Sequence, residues 1–144
     1  MLEELTIANV ALIEAATVGF APGMNCLTGE TGAGKSILAG ALGLIRGDKG
    51  DPDLIRTGAE EAVVSGRFVC PSRRDLGDWL RERGLEPEDG RLFIRRIIRR
   101  NGKGSIFIQG QAFSLKELTE LSAMLLDMHG QHEHQSLFTV ENHR

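Results

Sequence analysis

The spacing of apolar residues changes several times along this 144-residue chain, and each change predicts a new element. Short β-rich runs at residues 5–10 and 16–20 predict two strands joined by a short link. A third apolar run, at residues 24–28, follows a Pro-Gly turn and predicts a buried strand. Residues 62–70 predict a further strand. The first half of the chain is therefore expected to contain several strands, the early ones pairing antiparallel.

Helical spacing first appears after residue 36. Five apolar residues there recur every three or four positions: Ile37, Leu38, Ala41, Leu42 and Ile45. Gly47 predicts the end of this helix. A second helix is expected to open with Ser72 as its cap and Asp75 as the capping-box partner, and to end at Gly84.

The last third of the chain predicts a β-hairpin followed by a helix. Residues 92–100 and 105–109 are β-rich and flank an Asn-Gly pair, which favours a hairpin with an arginine-rich first strand. Ser114 and Glu117 form a second capping-box pair, and the helix they open is expected to run to about Ala123. The apolar run at 124–128 predicts a final strand. The whole pattern indicates a mixed α/β fold.

The most specific motif is Gly-Glu-Thr-Gly-Ala-Gly-Lys-Ser at residues 29–36. It fits the P-loop, or Walker A, pattern, and it lies between a predicted strand and a predicted helix as that motif requires. Glycines let the main chain approach a ligand, and successive N–H groups form an anion nest. Lys35 is predicted to reach the β- and γ-phosphates, and the Ser36 hydroxyl to bind Mg²⁺. The predicted nucleotide contacts are Gly29, Glu30, Thr31, Gly32, Ala33, Gly34, Lys35, Ser36 and Ile37.

Composition adds limits to this picture. Hydrophobic residues make up 41% of the chain, which favours one folded domain. The segment 90–116 carries seven basic residues and no acidic residue, so the remainder carries −10 although the chain's net charge is only −3. Cys26 and Cys70 lack ligand-like spacing and are expected to be buried free thiols. Without a signal-peptide pattern or a membrane-length apolar run, a cytoplasmic location is expected.

Hydrolysis of a nucleotide requires more than a P-loop. A carboxylate must hold Mg²⁺ through water, and a group must position the attacking water. The one candidate for the carboxylate, a Walker B aspartate, is Asp127, which follows apolar residues 124–126 but precedes Met128 rather than an acid. A self-contained P-loop NTPase that uses Asp127 is therefore one interpretation. A nucleotide-gated binding module without turnover is another.

Four segments in this order resemble the RecN family of bacterial DNA-repair ATPases, which have SMC-like, ABC-type heads. They are residues 5–13, 28–37, 54–58 and the sequence His-Gly-Gln-His-Glu-His-Gln at 129–135. The resemblance covers essentially the whole chain. It implies a split head, in which one lobe carries the P-loop and the Q-loop. A coiled coil then intervenes, and a C-terminal lobe carries the signature motif, the Walker B carboxylate and the catalytic glutamate.

The resemblance implies that residues 1–144 form a single domain, the N-terminal lobe, with 139–144 leading into the coiled coil. ATP and Mg²⁺ are the implied cofactors, and Lys35 and Gln131 the implied catalytic residues. Gln131 matches the Q-loop glutamine that contacts Mg²⁺ and the attacking water, with Gln135 as second choice. Lys49 stands near a position where the family often has arginine, but lysine lacks the bidentate fork.

The implied partners are the C-terminal lobe of the same protein, a second head that forms a homodimer across ATP, and DNA bound without sequence specificity. The implied activity is repair of double-strand breaks and recombination, in the cytoplasm at the nucleoid. Arg95, Arg96, Arg99 and Arg100 are predicted as possible DNA contacts, because arginine clusters bind phosphates. A solvated strand face, or pairing with acidic groups of the missing lobe, is the alternative. The spacing of His129, His132 and His134 does not match a structural zinc site.

Overall fold

The computed structural model describes residues 2–19 and 32–126, and for residues 32–36 and 126 it describes the backbone alone. Six strands form one sheet, in the order β2-β1-β3-β4-β5-β6, and every neighbouring pair is antiparallel. The strands are β1 (Leu2–Val10), β2 (Ile13–Gly19), β3 (Glu61–Val69), β4 (Arg91–Arg99), β5 (Gly104–Ile108) and β6 (Gln111–Ala112). The helices are α1 (Gly32–Arg46), a short 3-10 helix (Pro52–Leu54), α2 (Arg74–Glu82) and α3 (Leu115–Leu126).

The strands follow the predicted apolar runs, and their alternation gives the sheet two different faces. On one face, which we call the covered face, alternate residues of β1, β3, β4 and β5 join the hydrophobic core with α1, α2 and α3: Leu5, Ile7, Ala62, Val64, Phe68, Leu92, Ile94, Ile98, Ile106 and Ile108. The residues between them lie on the open face. Most of those are exposed or half-buried, including Thr6, Ser65, Phe93, Arg95 and Phe107.

Helix α1 is the centre of the covered side. It contacts β1, β3 and β4 on one side and α3 on another, and all residues from Ala41 to Ile45 are buried. The helix ends at Arg46, and Gly47 adopts a φ of 107°, as the predicted stop requires. A Cβ at Gly47 would stand 2.3 Å from the Thr119 hydroxyl of α3, so glycine also permits the close packing of the two helices.

Helix α3 confirms its predicted start and corrects its predicted end. The Ser114 hydroxyl accepts the Glu117 N–H at 3.2 Å, and the Glu117 carboxylate accepts the Ser114 N–H at 3.0 Å, which is a complete capping box. The predicted strand at 124–128 is wrong for 124–126, because α3 continues to Leu126. Leu118, Leu121 and Leu125 are buried at helical spacing, and this packing favours continuation of the helix.

The predicted start of α2 is also wrong. The helix begins at Arg74, and the residue at its cap, Arg73, makes no side-chain capping hydrogen bond. The Asp75 carboxylate instead receives the Arg73 guanidinium, with an N–O distance of 2.6 Å, so it does not pair with Ser72 in a capping box. The predicted end is confirmed: Gly84 adopts a φ of 71°, and the Leu85 N–H donates to the Leu80 carbonyl at 2.9 Å.

Most of the other predicted strands are present in the structure. The strands predicted at 5–10, 16–20 and 62–70 and the arginine-rich hairpin are confirmed, with the bounds given above. The strand predicted at 24–28 and Cys26 lie outside the described residues. Cys70 is half-buried with a free thiol, and burial raises its pKa. In the described ranges, no helix is long and apolar enough to cross a membrane.

Candidate nucleotide-binding site and arginine-rich hairpin

The P-loop motif coincides with the start of α1. Gly32 to Ser36 form the first residues of this 15-residue helix, whereas Gly29, Glu30 and Thr31 lie outside the described residues. The N–H groups of a first helical turn have no partner within the helix, and the helix dipole is positive at that end. No acidic residue stands in this first turn. The backbone of α1 therefore fits the phosphate-binding role that the motif predicts.

The opposite end of α1 is fixed to the sheet and to α3. The buried guanidinium of Arg96 on β4 donates from Nη1 to the carbonyl oxygen of Leu44, at 2.8 Å, and to that of Asp48. The buried Ser122 hydroxyl of α3 donates to the Arg46 carbonyl oxygen at 2.7 Å. Carbonyl groups of a last helical turn lack intrahelical partners, and cations are favoured there. These two side chains therefore hold the position of α1 and so of its phosphate-facing end.

Arg96 was predicted as a DNA contact, and its burial contradicts that role. Its side chain is only 6% exposed, and its Nη1 is engaged with backbone carbonyls. Strand alternation alone identifies it, because Arg96 shares a face with Leu92, Ile94 and Ile98, which are all buried. The sequence therefore contained the information that this arginine points to the core.

The other three arginines of the hairpin have different surroundings. Arg95 lies exposed on the open face. Arg99 lies on the same face, half-buried, 3.5 Å from the Glu61 carboxylate and 2.9 Å from the Ser105 hydroxyl. Arg100 begins the turn and donates to the carbonyl oxygens of Ala59, at 2.6 Å, and Arg56, at 2.9 Å. The structure therefore does not gather the four arginines into one cluster, and DNA contact stays a prediction for Arg95, Arg99 and Arg100.

The bonds of Arg100 belong to a junction between two of the segments that carried the family resemblance. The Ala11 N–H donates to the Leu54 carbonyl at 2.7 Å, and the Arg56 N–H donates to the Asn9 carbonyl at 2.8 Å. Asn9 and Ala11 adopt φ values of 58° and 53°, a conformation that non-glycine residues rarely take. The local sequence of residues 54–58 predicts no element, because their backbone hydrogen bonds are made with the distant turn at residues 9–11.

A second basic group lies at the far end of the open face. The Glu3 carboxylate accepts hydrogen bonds from Arg67 at 2.9 Å and from Arg91 at 2.8 Å. These bonds, from Arg91 above all, lower the pKa of Glu3 to about 2, and Glu3 in turn raises the pKa of Arg91. Arg67 and Arg91 thus join β1, β3 and β4 through one carboxylate.

Several predicted site residues lie outside the described residues: Gln131, Gln135, Asp127, His129, His132 and His134. Lys49 is described and exposed, three positions after the last residue of α1. The 15 residues of α1 span about 22 Å, so the helix separates Lys49 from the motif along its length. In the described part of the chain, no group of three or more histidine, cysteine or acidic residues could hold a metal ion.

Comparisons with known proteins agree with this architecture. The protein is 46% identical over 145 residues to the DNA repair protein RecN of Treponema pallidum (strain Nichols) and 40% identical over 143 residues to that of Bacillus subtilis (strain 168). These alignments cover 100% and 99% of the chain, which spans 25% of the length of each relative. The resemblance to RecN is thereby confirmed.

Solved structures share the fold. One, from work on ATP-driven dimerization and DNA stimulated activation of SMC ATPases, has a TM-score of 0.67 and 21% identity, over 86% of this chain and 80% of that one. The recombination mediator protein RecF bound to ATPrS has a TM-score of 0.61 and 20% identity, over 82% and 29% of the two chains. The predicted α/β fold of an ATPase-head lobe is thus confirmed. The family model described as AAA domain matches residues 4–140, and the chain belongs to that family.

Proposed function

We propose that this chain is the ATP-binding lobe of a split, SMC-like ATPase head that acts in the repair of broken DNA. The observation that carries the proposal is the start of α1 at Gly32, inside the P-loop motif, with the far end of that helix fixed by Arg96 and Ser122. A helix held in this way presents its first-turn N–H groups to phosphates in a fixed position. The similarity to RecN supplies the repair context.

In this proposal, Lys35 reaches the β- and γ-phosphates, Ser36 binds Mg²⁺, and Gln131 contacts Mg²⁺ and the attacking water. Residues 29–37 surround the phosphates. The Mg²⁺ ion neutralises the charge that develops on the phosphoryl oxygens. The first turn of α1 fits the nucleotide because it combines free N–H groups, two glycines and no acidic side chain.

Turnover requires groups that we place on a second lobe of the same protein, which would supply the signature motif, the Walker B carboxylate and the catalytic glutamate. Two complete heads would then enclose two ATP molecules and open after hydrolysis. The RecN relatives, of which this chain spans 25%, are long enough for such a lobe. This head cycle would be coupled to holding DNA, without sequence specificity, at the nucleoid.

A self-contained NTPase that uses Asp127 is the second candidate. A Walker B aspartate follows a buried strand, but residues 124–126 belong to α3. The assignment of Asp127 depended on a strand before it, and a helix lies there instead. A nucleotide-gated module that binds without turnover is the third candidate, and the fold is equally compatible with it.

The test is ATP binding and turnover by this chain, alone and mixed with the lobe that completes its relatives. We expect binding alone, turnover only in the mixture, and loss of binding in Lys35→Ala. Lys116→Ala, at an exposed lysine on α3, is the matched control. Turnover by the chain alone that Asp127→Asn abolishes would establish the self-contained enzyme. Binding without turnover in the mixture would establish the third candidate.

DNA contact is tested separately. The open face presents Arg95 and Arg99, and Arg100 lies at the turn beside it. In the full protein, Arg95→Gln should weaken DNA binding and reduce the salt dependence by about one counterion. Arg74→Gln, at an exposed arginine on α2, is the control. An unchanged salt dependence in the triple variant Arg95→Gln, Arg99→Gln, Arg100→Gln would exclude this surface.

A further inference from the structure

A cavity of about 380 Å³ lies between the loop that follows α1 and the β4–β5 hairpin. Four basic residues from three segments line it: Lys49 of the loop, Arg96 and Arg99 of β4, and Lys103 of the hairpin turn. Among the described residues of its lining, none is acidic. The cavity lies near the C-terminal end of α1, and the motif that predicts the nucleotide site lies at the other end. The cavity is therefore separate from the predicted nucleotide site and carries a positive charge of its own.

Arg96 gives this cavity an incompletely compensated buried charge. Its Nη1 donates to the carbonyl groups of Leu44 and Asp48, which carry no net charge. A Cβ at Gly50 would lie 3.4 Å from Arg96 Nη2, so Nη2 stands beside Gly50, which also lines the cavity. Burial lowers the pKa of the Arg96 guanidinium, and the charge of the nearby Asp48 carboxylate offsets only part of this shift. A buried cation without a carboxylate hydrogen bond is costly, and an anion in the cavity would offset that cost.

The other three basic residues of the lining differ from Arg96 in exposure and in their ion pairs. Arg99 is partly neutralised, because Glu61 lies 3.5 Å from its Nε. Lys49 and Lys103 are exposed, and within the described ranges neither forms an ion pair. Their long side chains can therefore turn toward a ligand without breaking an existing bond.

The N-terminus of α3 adds neutral donors at the same cavity. Ser114 and Leu115 both line it, and the Ser114 hydroxyl already satisfies the Glu117 N–H. The N–H groups of Leu115 and Lys116 lie in the first turn of the 12-residue helix, where no intrahelical acceptor exists. The N-terminal end of α3 thus borders the same space as the basic residues, and the Glu117 carboxylate of its first turn, which binds Ser114, cancels part of the positive potential there.

We propose that this cavity binds a phosphate group, at a site separate from the nucleotide. A phosphate presents three or four oxygens and can be reached at once by the Arg96 guanidinium, the two lysines and the helix N-terminus, whereas a carboxylate presents two. The phosphate can belong to inorganic phosphate or to the phosphodiester of a nucleic acid, since both present the same oxygens. The proposal does not depend on the proposed repair function.

The test is an amide NMR titration of the 144-residue chain with inorganic phosphate, against sodium chloride at the same ionic strength. All proteins carry Lys35→Ala, which weakens the predicted nucleotide site. We expect saturable shifts at the amides of Gly50, Gly102, Gly104 and Leu115. Phosphate should also raise the melting temperature, because a ligand that binds the folded state stabilises it.

The double variant Lys49→Gln, Lys103→Gln should weaken phosphate binding at least about fivefold, because two cations leave the lining. Arg74→Gln, at an exposed arginine on α2, makes the same kind of charge change outside the lining and should alter the affinity by less than about twofold. Neither variant touches a buried side chain, so both are expected to fold.

A short oligothymidylate without terminal phosphates distinguishes the two sources. Shifts at the same amides identify a phosphodiester ligand, and shifts with inorganic phosphate alone identify a free phosphate; either result supports the site. Shifts that spread over the chain without saturation, or equal weakening by Arg74→Gln, would overturn it. ATP binding by the chain with Lys35 intact reports separately on the proposed function.

Discussion

The covered and open faces of the sheet are made by the same strands, yet they bury side chains to different degrees. On the covered face, helices α1, α2 and α3 pack over the alternate apolar residues of β1, β3, β4 and β5. On the open face, residues such as Ser65 and Phe107 are only half-buried. Arg95 and Arg96 are adjacent in sequence, but one is exposed and the other is 6% exposed. The role of each arginine is therefore decided by strand alternation rather than by membership of a basic run.

The largest expected difference between the faces concerns phenylalanine. Phe68 is fully buried on the covered face, and Phe93 is 42% exposed on the open face. Phe68→Ala should lower the free energy of unfolding by about 4 kcal/mol, through lost burial and a residual cavity. Phe93→Ala should lower it by less than about 1 kcal/mol. Urea unfolding of both variants makes the comparison, and equal losses would contradict the two-face description.

The adjacent arginines give the next largest difference. Arg96→Ala removes charged hydrogen bonds to the Leu44 and Asp48 carbonyl groups, and we expect a loss of about 3 kcal/mol in the free energy of unfolding. Arg95→Ala should cost less than about 0.5 kcal/mol. Arg96→Met keeps most of the apolar stem and serves as a control for packing. If Arg96→Met is as stable as the parent protein, the hydrogen bonds do not hold α1.

Two serines repeat the comparison on a smaller scale. Ser122 is buried and donates to the Arg46 carbonyl oxygen, whereas Ser65 is half-buried on the open face. Ser122→Ala should lower the free energy of unfolding by about 1 kcal/mol. Ser65→Ala is expected to change it by less than about 0.5 kcal/mol. Chemical unfolding measures both, and a larger loss from Ser65→Ala would mean that the open face contributes more than its exposure indicates.

The smallest change in the free energy of unfolding is expected for Glu3, the carboxylate on the open face. The pKa of Glu3 is lowered to about 2 by Arg91 and Arg67, below its usual value of 4.5. A lowered folded-state pKa stabilises the protein above the unfolded-state pKa, and this stabilisation is lost as the pH falls from about 4.5 to about 2. The stability difference between the parent protein and Glu3→Gln should therefore shrink across that pH range. A difference that stays constant would show that the carboxylate charge is not involved.

Most of the fold follows from local patterns. Alternation and an Asn-Gly pair predict the β4–β5 hairpin, and Ser114 with Glu117 predicts the start of α3, because each of these features is complete within a few residues. The predicted start of α2 is wrong, and the Asp75 carboxylate binds the Arg73 guanidinium. The predicted end of α3 is wrong because a short apolar run is compatible with a strand or with a helix. Only the packing of Leu125 in the core distinguishes the two.

The sequence predicts the features at the first turn of α1 better than those at its last turn. The P-loop motif specifies its own chemistry, and the structure adds that α1 begins inside it, at Gly32. The clamp at the other end joins Leu44, Arg46, Arg96 and Ser122 from three elements. Such contacts depend on how α1 and α3 pack against β4, which no local pattern contains. The cavity beside Arg96 arises from the same long-range packing.

The clamp has a mechanical consequence. Arg96 bonds the last turn of α1 directly to β4, the strand that carries Arg95 and Arg99 on its other face. A displacement of α1 along its axis would therefore have to move β4 or break a buried bond. If phosphates pull on the first turn of the helix, the force reaches the sheet through the Arg96 guanidinium as well as through the packing of α1 on β1, β3 and β4. Chemistry at one end of α1 is thus physically joined to the geometry of a surface on the far side of the molecule.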